Sequence, residues 1–147
     1  MWTLIKLVHL ASAIVWMGGM AFMLYALRPA IGMLTPPQRL TLIAEVLSRF
    51  FRIVRVAIVL LFITGLSMLL HAGFRNAPLG WHLMMGIGLV MFALFGHLDA
   101  VPHRRLQRAV RESNWPLAAD QMKQIPMLAT INFVLGWIAI AAMRLVQ

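Results

Sequence analysis

Apolar positions along this chain run in four near-continuous blocks, about 2–27, 53–73, 79–101 and 125–146. Between them, polar and apolar residues alternate at helical spacing. A helix rising 1.5 Å per residue needs about 20 residues to cross about 30 Å of hydrocarbon, so each block predicts a membrane-spanning helix. In 147 residues little is left over. The predicted fold class is all-α, an integral membrane four-helix bundle forming one domain over 1–147. The first block is longer than a signal-peptide core, and no small-residue cleavage site follows it before "LRPA", so it is read as the first helix of the bundle.

The connections have helical pattern of their own. In "TPPQRLTLIAEVLSRFFR", Thr35 suits a helix cap and Pro36 or Pro37 the first turn. Leu40, Ile43, Leu47 and Phe50 then recur at helical spacing, predicting an amphipathic lead-in that runs into the second span. "HRRLQRAVRESNWPLAADQMKQIP" predicts a polar extension of the third helix, a break near Asn114 to Pro116, and a short amphipathic piece ending at Pro126. No phosphate-binding glycine loop, nucleophile with an adjacent base, low-complexity run or internal repeat is apparent.

Composition agrees with the pattern: 62% of residues are hydrophobic and 12% charged, against about 45–50% and about 25% in ordinary soluble domains. Cysteine is absent, which excludes disulfides and thiolate ligands and leaves any metal to His, Met, Asn or carboxylate. The net charge of +9 changes the picture by its distribution. The two long connections carry Arg28, Arg39, Arg49, Arg52, Arg55, Arg104, Arg105, Arg108, Arg111 and Lys123; the other side has Lys6, Arg75 and Arg144. The positive-inside bias puts both connections in the cytoplasm and both termini on the outer, periplasmic side of a bacterial-type inner membrane. These cations flank spans without interleaved aromatics, so the expected partner is the lipid bilayer and not nucleic acid.

With that orientation, His9 lies roughly 8 Å and His71 and His82 each roughly 12 Å outside the bilayer centre, counting about 1.5 Å per residue. Three helices thus each bring a histidine to the outer leaflet. At 100° per residue His9 shares a stripe with Ser12, Ala13, Trp16 and Met20; His71 with Ser67, Thr64 and Leu60; His82 with Met85, Gly86, Leu89 and Ala93. These read as interior faces, and an ionisable group within a span is a functional hypothesis by default. His97 beside Asp99 is expected to form an interfacial pair, His103 to be solvated, and Arg55 to snorkel to inner headgroups.

Imidazoles between membrane helices suit haem b, with His9 and either His82 or His71 as axial ligands. Lys6, Arg75, Trp2 and Trp81 lie at the end to which the propionates would project. Trp16 stands either to stack on the porphyrin or to pack within the core. Copper is the alternative: Met17, Met20 and Met23 are spaced by three, Met84 and Met85 follow His82, and soft thioethers suit Cu(I). Core packing alone also explains a methionine stripe. Asn132, costly in hydrocarbon, must face the bundle, where it either bonds another helix or supports a bound group, with Gly136 one turn on allowing close approach.

"LVHLASAIVWMGGMAFMLYALRPA", "ITGLSMLL", "GWHLMMGIGLVMFALFGHL" with "HRRL" after it, and "IPMLATINFVLGWIAI" resemble the CopD-like family of small membrane proteins, associated with copper resistance and related to the HemJ-type protoporphyrinogen oxidases. The most specific parts are His9 followed seven residues on by Trp-x-Gly-Gly, and the Trp81–His82 opening of the third helix. The resemblance implies a four-helix bundle in which His9 ligates haem b, as in the HemJ-type branch, or copper. HemJ-type proteins carry a lysine soon after the helix 3 tryptophan, and none follows Trp81 here, so the resemblance carries over the site and not the reaction. Two functions follow as expectations. One is a haem b protein passing electrons between a quinone or a periplasmic redox protein and a partner, at most an oxidoreductase. The other is a copper transport or tolerance protein using the same histidines with Met17, Met20 and Met85. A cofactor-free structural subunit is the third expectation, and self-association is compatible with all three.

Overall fold

The structure, a computed structural model, describes residues 1–146. Four helices are long and apolar enough to cross a membrane: α1 (Trp2–Met33), α2 (Pro36–Ala72), α3 (Leu79–Arg111) and α4 (Trp115–Leu145). At 1.5 Å per residue each is roughly 45–55 Å long, well beyond the thickness of the hydrocarbon. The excess carries the arginine-rich ends of α1 and α3 and the starts of α2 and α4, so the predicted lead-in and extension are continuous with the spans.

Local signals set most of the boundaries. Gln38 Oε1 accepts from the Thr35 backbone N–H at 3.3 Å and from its hydroxyl at 2.9 Å, with Pro36 opening α2. Asn114 Oδ1 accepts from Leu117 N at 3.2 Å and starts α4. α2 stops at Gly73, whose φ of +79° is open to glycine at little cost. Pro126 departs from the expected break, since α4 runs through it. The buried stripe Ala118, Gln121, Ile125, Asn132, Gly136 and Ala139 continues across the proline, and packing on neighbouring helices holds a span together despite one missing backbone donor.

The helices run alternately up and down. α1 lies on α2, and α3 on α4, with the broadest contacts within these pairs. The Trp2–His71 ring contact and the His9–Thr64 hydrogen bond put α1 and α2 in a single antiparallel register. Gly80 N–H donates to Val146 O at 3.0 Å and Asn132 Nδ2 donates to Met91 O at 3.3 Å, doing the same for α3 and α4. Both termini and the short α2–α3 turn therefore share one end, and the two long connections the other.

Leu4, Leu7, Leu10 and Ile14 on α1 and Val56, Val59, Phe62 and Ile63 on α2 are exposed, an apolar outer surface suited to lipid contact. The densest core lies towards the connection end, where Ile31, Leu40, Ile43, Leu47, Phe51, Phe95, Leu98 and Leu106 are buried together. The His9 stripe is interior as expected, with Ser12, Trp16 and Met20 buried. On the His71 stripe only Thr64 is buried. On the His82 stripe Gly86, Leu89 and Ala93 are exposed, because α3 turns Met91, Phe95 and Leu98 inward instead.

The connection end also holds an ion network that corrects three expectations. Asp99 pairs with His103, not with His97, at 3.0 Å from Oδ1 to Nδ1, and Arg55 Nη1 reaches Asp99 Oδ2 at 3.1 Å. His103 is not solvated: it is 4% exposed, with its ring 4.5 Å from that of Phe51. A four-residue separation along the π turn Asp99–His103 puts this carboxylate and imidazole on the same side, while His97 faces outward. Arg55 finds a carboxylate across the helix interface instead of extending to headgroups.

Two stability predictions follow. A Cβ on Gly80 would run into the backbone carbonyls of Val146 and Ala142, whereas one on Gly88 meets open space. Gly80→Ala should cost about 1–3 kcal/mol and Gly88→Ala should be neutral or slightly stabilising, read from thermal melting in detergent. Asp99→Ala should lower stability by about 1.5–3 kcal/mol, because it strips a largely buried imidazole of its charge-assisted partner. Arg55→Ala, removing an arginine whose side chain is 51% exposed, should cost less than about 1 kcal/mol by the same measurement.

Candidate metal centre

His9 is placed by Thr64. The Thr64 hydroxyl donates to Leu60 O in the preceding turn of α2, and its oxygen lies 2.9 Å from His9 Nδ1. With that hydroxyl hydrogen directed to Leu60 O, the ring would donate from Nδ1 and keep the Nε2 lone pair, the form in which a neutral imidazole binds a metal. One residue on, Gly65 makes room for the ring. A Cβ there would stand 3.2 Å from His9 Cε1 and 4.0 Å from Met85 Cε. The ring of His9 from α1 and the methyl end of Met85 from α3 thus both border this glycine of α2.

The other two outer histidines stand elsewhere. His71 is exposed at the end of α2, its ring 4.3 Å from that of Trp2, which in turn has Lys6 Nζ over it at 5.5 Å. By the register of α1 on α2 it lies about 10 Å further along the axis than His9. His82, in the first turn of α3, packs edge-on against Phe74 at 4.8 Å and has Nδ1 3.3 Å from Pro78 O. Their partners are thus Trp2, Phe74 and Pro78, and the α3 side chain that reaches Gly65, next to the His9 ring, is Met85. Among the described residues, no group of three or more His, Asp or Glu is close enough to hold a metal ion.

Deeper along the axis the thioethers continue. Met17 Sδ and Met91 Cε both pack on Gly136, so α1, α3 and α4 meet there through two methionines. Asn132, one turn away and 2% exposed, makes the helix-to-helix bond to Met91 O, and its Oδ1 has no partner. Trp16 packs within the protein, stacked on Phe92 at 5.8 Å and edge-on to Phe95 at 6.1 Å. Below it a cavity with about 50 Å³ of room for small occupants opens towards the connection end, with Met20, Met23, Met122 and Asn132 in its wall. Met17, Met20 and Met85 are thus brought to three levels of the same interior and do not surround one point.

The arrangement offers one oriented imidazole and a succession of thioethers in an interior without thiolate or a carboxylate cluster. Such donors suit a soft, low-charge cation. Sequence reasoning placed Thr64 on a helix face without pairing it with His9, and gave Met91 and Met122 no role. Those assignments depend on which residues of two helices share a level, which the periodicity of one helix does not contain.

Comparison with characterised proteins and with solved structures finds no match. A family model described as copper resistance protein D, CopD, matches residues 44–146, which takes in most of α2 and all of α3 and α4. Thr64, His71, His82, Met85, Met91 and Asn132 lie within that stretch, while His9 and the methionines of α1 precede it. Four helices able to span a membrane and a match over more than half its length identify this multi-pass membrane protein as a member of the CopD family.

Proposed function

We propose that this protein binds and conveys Cu(I) within the membrane, with His9 and Met85 as the first ligands, copper being its cargo. One observation carries the reading: the His9 imidazole, bonded at Nδ1 to the Thr64 hydroxyl, and the end of the Met85 side chain both border Gly65. An outer hydrogen bond that orients the ring is what a histidine ligand needs, and imidazole with thioether is a donor set for Cu(I). Membership of the copper-resistance family supports the same cargo. An ion held there would move along the thioethers of Met17 and Met91 into the bundle.

The direction follows from charge. Ten of the thirteen lysines and arginines lie on or beside the two long connections, which puts those connections in the cytoplasm. The His9 site then opens to the outer leaflet of a bacterial-type inner membrane, and copper enters from the periplasmic side. His71 and His82, at the rim with Trp2 and Phe74, stand where an arriving ion would first meet imidazole.

The test is Cu(I) binding by the detergent-purified protein under reducing conditions, by competition with a chromogenic chelator, with metal analysis and a visible spectrum on the same sample. Copper should bind, and His9→Ala should weaken the outer site by at least about 100-fold, as expected of a lost ligand that its supporting bond alone changes by about 10–100-fold. Thr64→Val, which keeps the shape and removes the hydroxyl, should weaken it about 10–100-fold. A protein that takes up no copper but carries an iron-linked Soret band abolished by His9→Ala would overturn this reading in favour of haem b.

A further inference from the structure

The cavity below Trp16 lies one to two turns beyond Met17, in the half of the bundle nearer the connections. Its wall is almost wholly apolar, yet it contains three thioethers from two helices, Met20 and Met23 of α1 and Met122 of α4, together with Asn132. Lipid-facing methionines would need no explanation. These instead line the same space as a buried amide whose oxygen has no donor.

That amide cannot turn to relieve itself. Asn132 Nδ2 donates to Met91 O at 3.3 Å, a bond only the NH₂ side can make, so Oδ1 is fixed as an acceptor, and it is without a partner. A buried acceptor left unmet costs about 1–3 kcal/mol unless a water or a cation meets it. Pro126 is also in the wall. Lacking an N–H, it withholds from the Met122 carbonyl its usual helical donor, so a second oxygen is underused beside the same thioether. Met23 enters the wall from the π turn Met23–Leu27, a distortion often found at functional sites. About 50 Å³ is enough for an ion with a water, a water needing roughly 10–15 Å³ on this measure.

We infer that this cavity is a second station for a soft monovalent cation, held by the thioethers of Met20, Met23 and Met122 with Asn132 Oδ1. The assignment rests on the copper reading above and extends it. With one station near His9 and another across the bilayer centre, the protein has a route through the membrane and not only a place to store an ion. Trp16, buried at the head of the cavity, brings an aromatic ring into its wall, and an indole attracts a cation in transit. Among the described residues, Arg28 is the one charged residue in the wall, and it is exposed. Its positive charge opposes long residence, as suits a station next to the exit.

Titration of the full-length detergent-purified protein with Ag(I), a redox-inert stand-in for Cu(I), against a competing chelator tests this directly. The wild type should bind two ions. His9→Ala should keep the inner one. Met20→Leu with Met122→Leu, close in volume and tolerated in packed cores, should keep the outer one and weaken the inner at least about tenfold, the scale of a lost ligand or ligand support. Arg28→Gln should tighten the inner ion, which a purely structural role for that residue does not predict. A single ion that His9→Ala removes and the methionine pair leaves unchanged would overturn the second station while the outer site stands. So would two ions that both survive the methionine pair. Binding of no ion at all would remove both assignments.

Discussion

The Thr64 hydroxyl, caught between the carbonyl of its own preceding turn and the ring of His9, is the interaction on which the rest of the arrangement turns. In hydrocarbon no water competes for either group, so the bond fixes where α1 lies along α2. Given that register, Trp2 meets His71 at the rim and Gly65 falls under the imidazole. The second helix pair has its own constraint, the approach of Gly80 to the end of α4 and the Asn132 bond to Met91. Van der Waals packing and a few interhelical hydrogen bonds carry most of the association of membrane helices, because apolar side chains gain little by leaving lipid for one another. A small number of polar contacts therefore determines how the histidine and the thioethers line up.

The polar groups are unevenly spent. At the connection end Asp99 meets both Arg55 and His103, and the surrounding core is dense. Nearer the termini the interior is sparser, with Ser12, Thr64 and Leu69 among few buried residues.

Much of this was legible in the chain. The four spans, the Thr35–Pro36 start of α2 and the Asn114 start of α4 are local matters of length, capping and proline chemistry, and the structure follows them. The inward face of α1 was legible because Ser12, Trp16 and Met20 repeat at helical spacing below His9. α3 is apolar all round, so periodicity could not tell that Met91, Phe95 and Leu98 face inward and Leu89 and Ala93 outward. Pro126 reads as a break under local rules but sits inside α4, where neighbouring helices override them. Depth counted along single helices put His9, His71 and His82 within about 4 Å of one level at 1.5 Å per residue, whereas the interhelical register separates His9 from His71 by about 10 Å. The Asp99–His103 pair has a spacing that any helix turn brings together, but the burial of His103 against Phe51 depends on interhelical packing that the sequence of one helix does not contain.

X-ray absorption at the copper edge, on protein loaded with Cu(I) under reducing conditions, tests the central claim most directly. The account predicts sulfur scatterers from methionine together with an imidazole nitrogen, and loss of the imidazole signal in His9→Ala with the sulfur shell retained. A copper shell of nitrogen and oxygen alone, unchanged by His9→Ala, would contradict it.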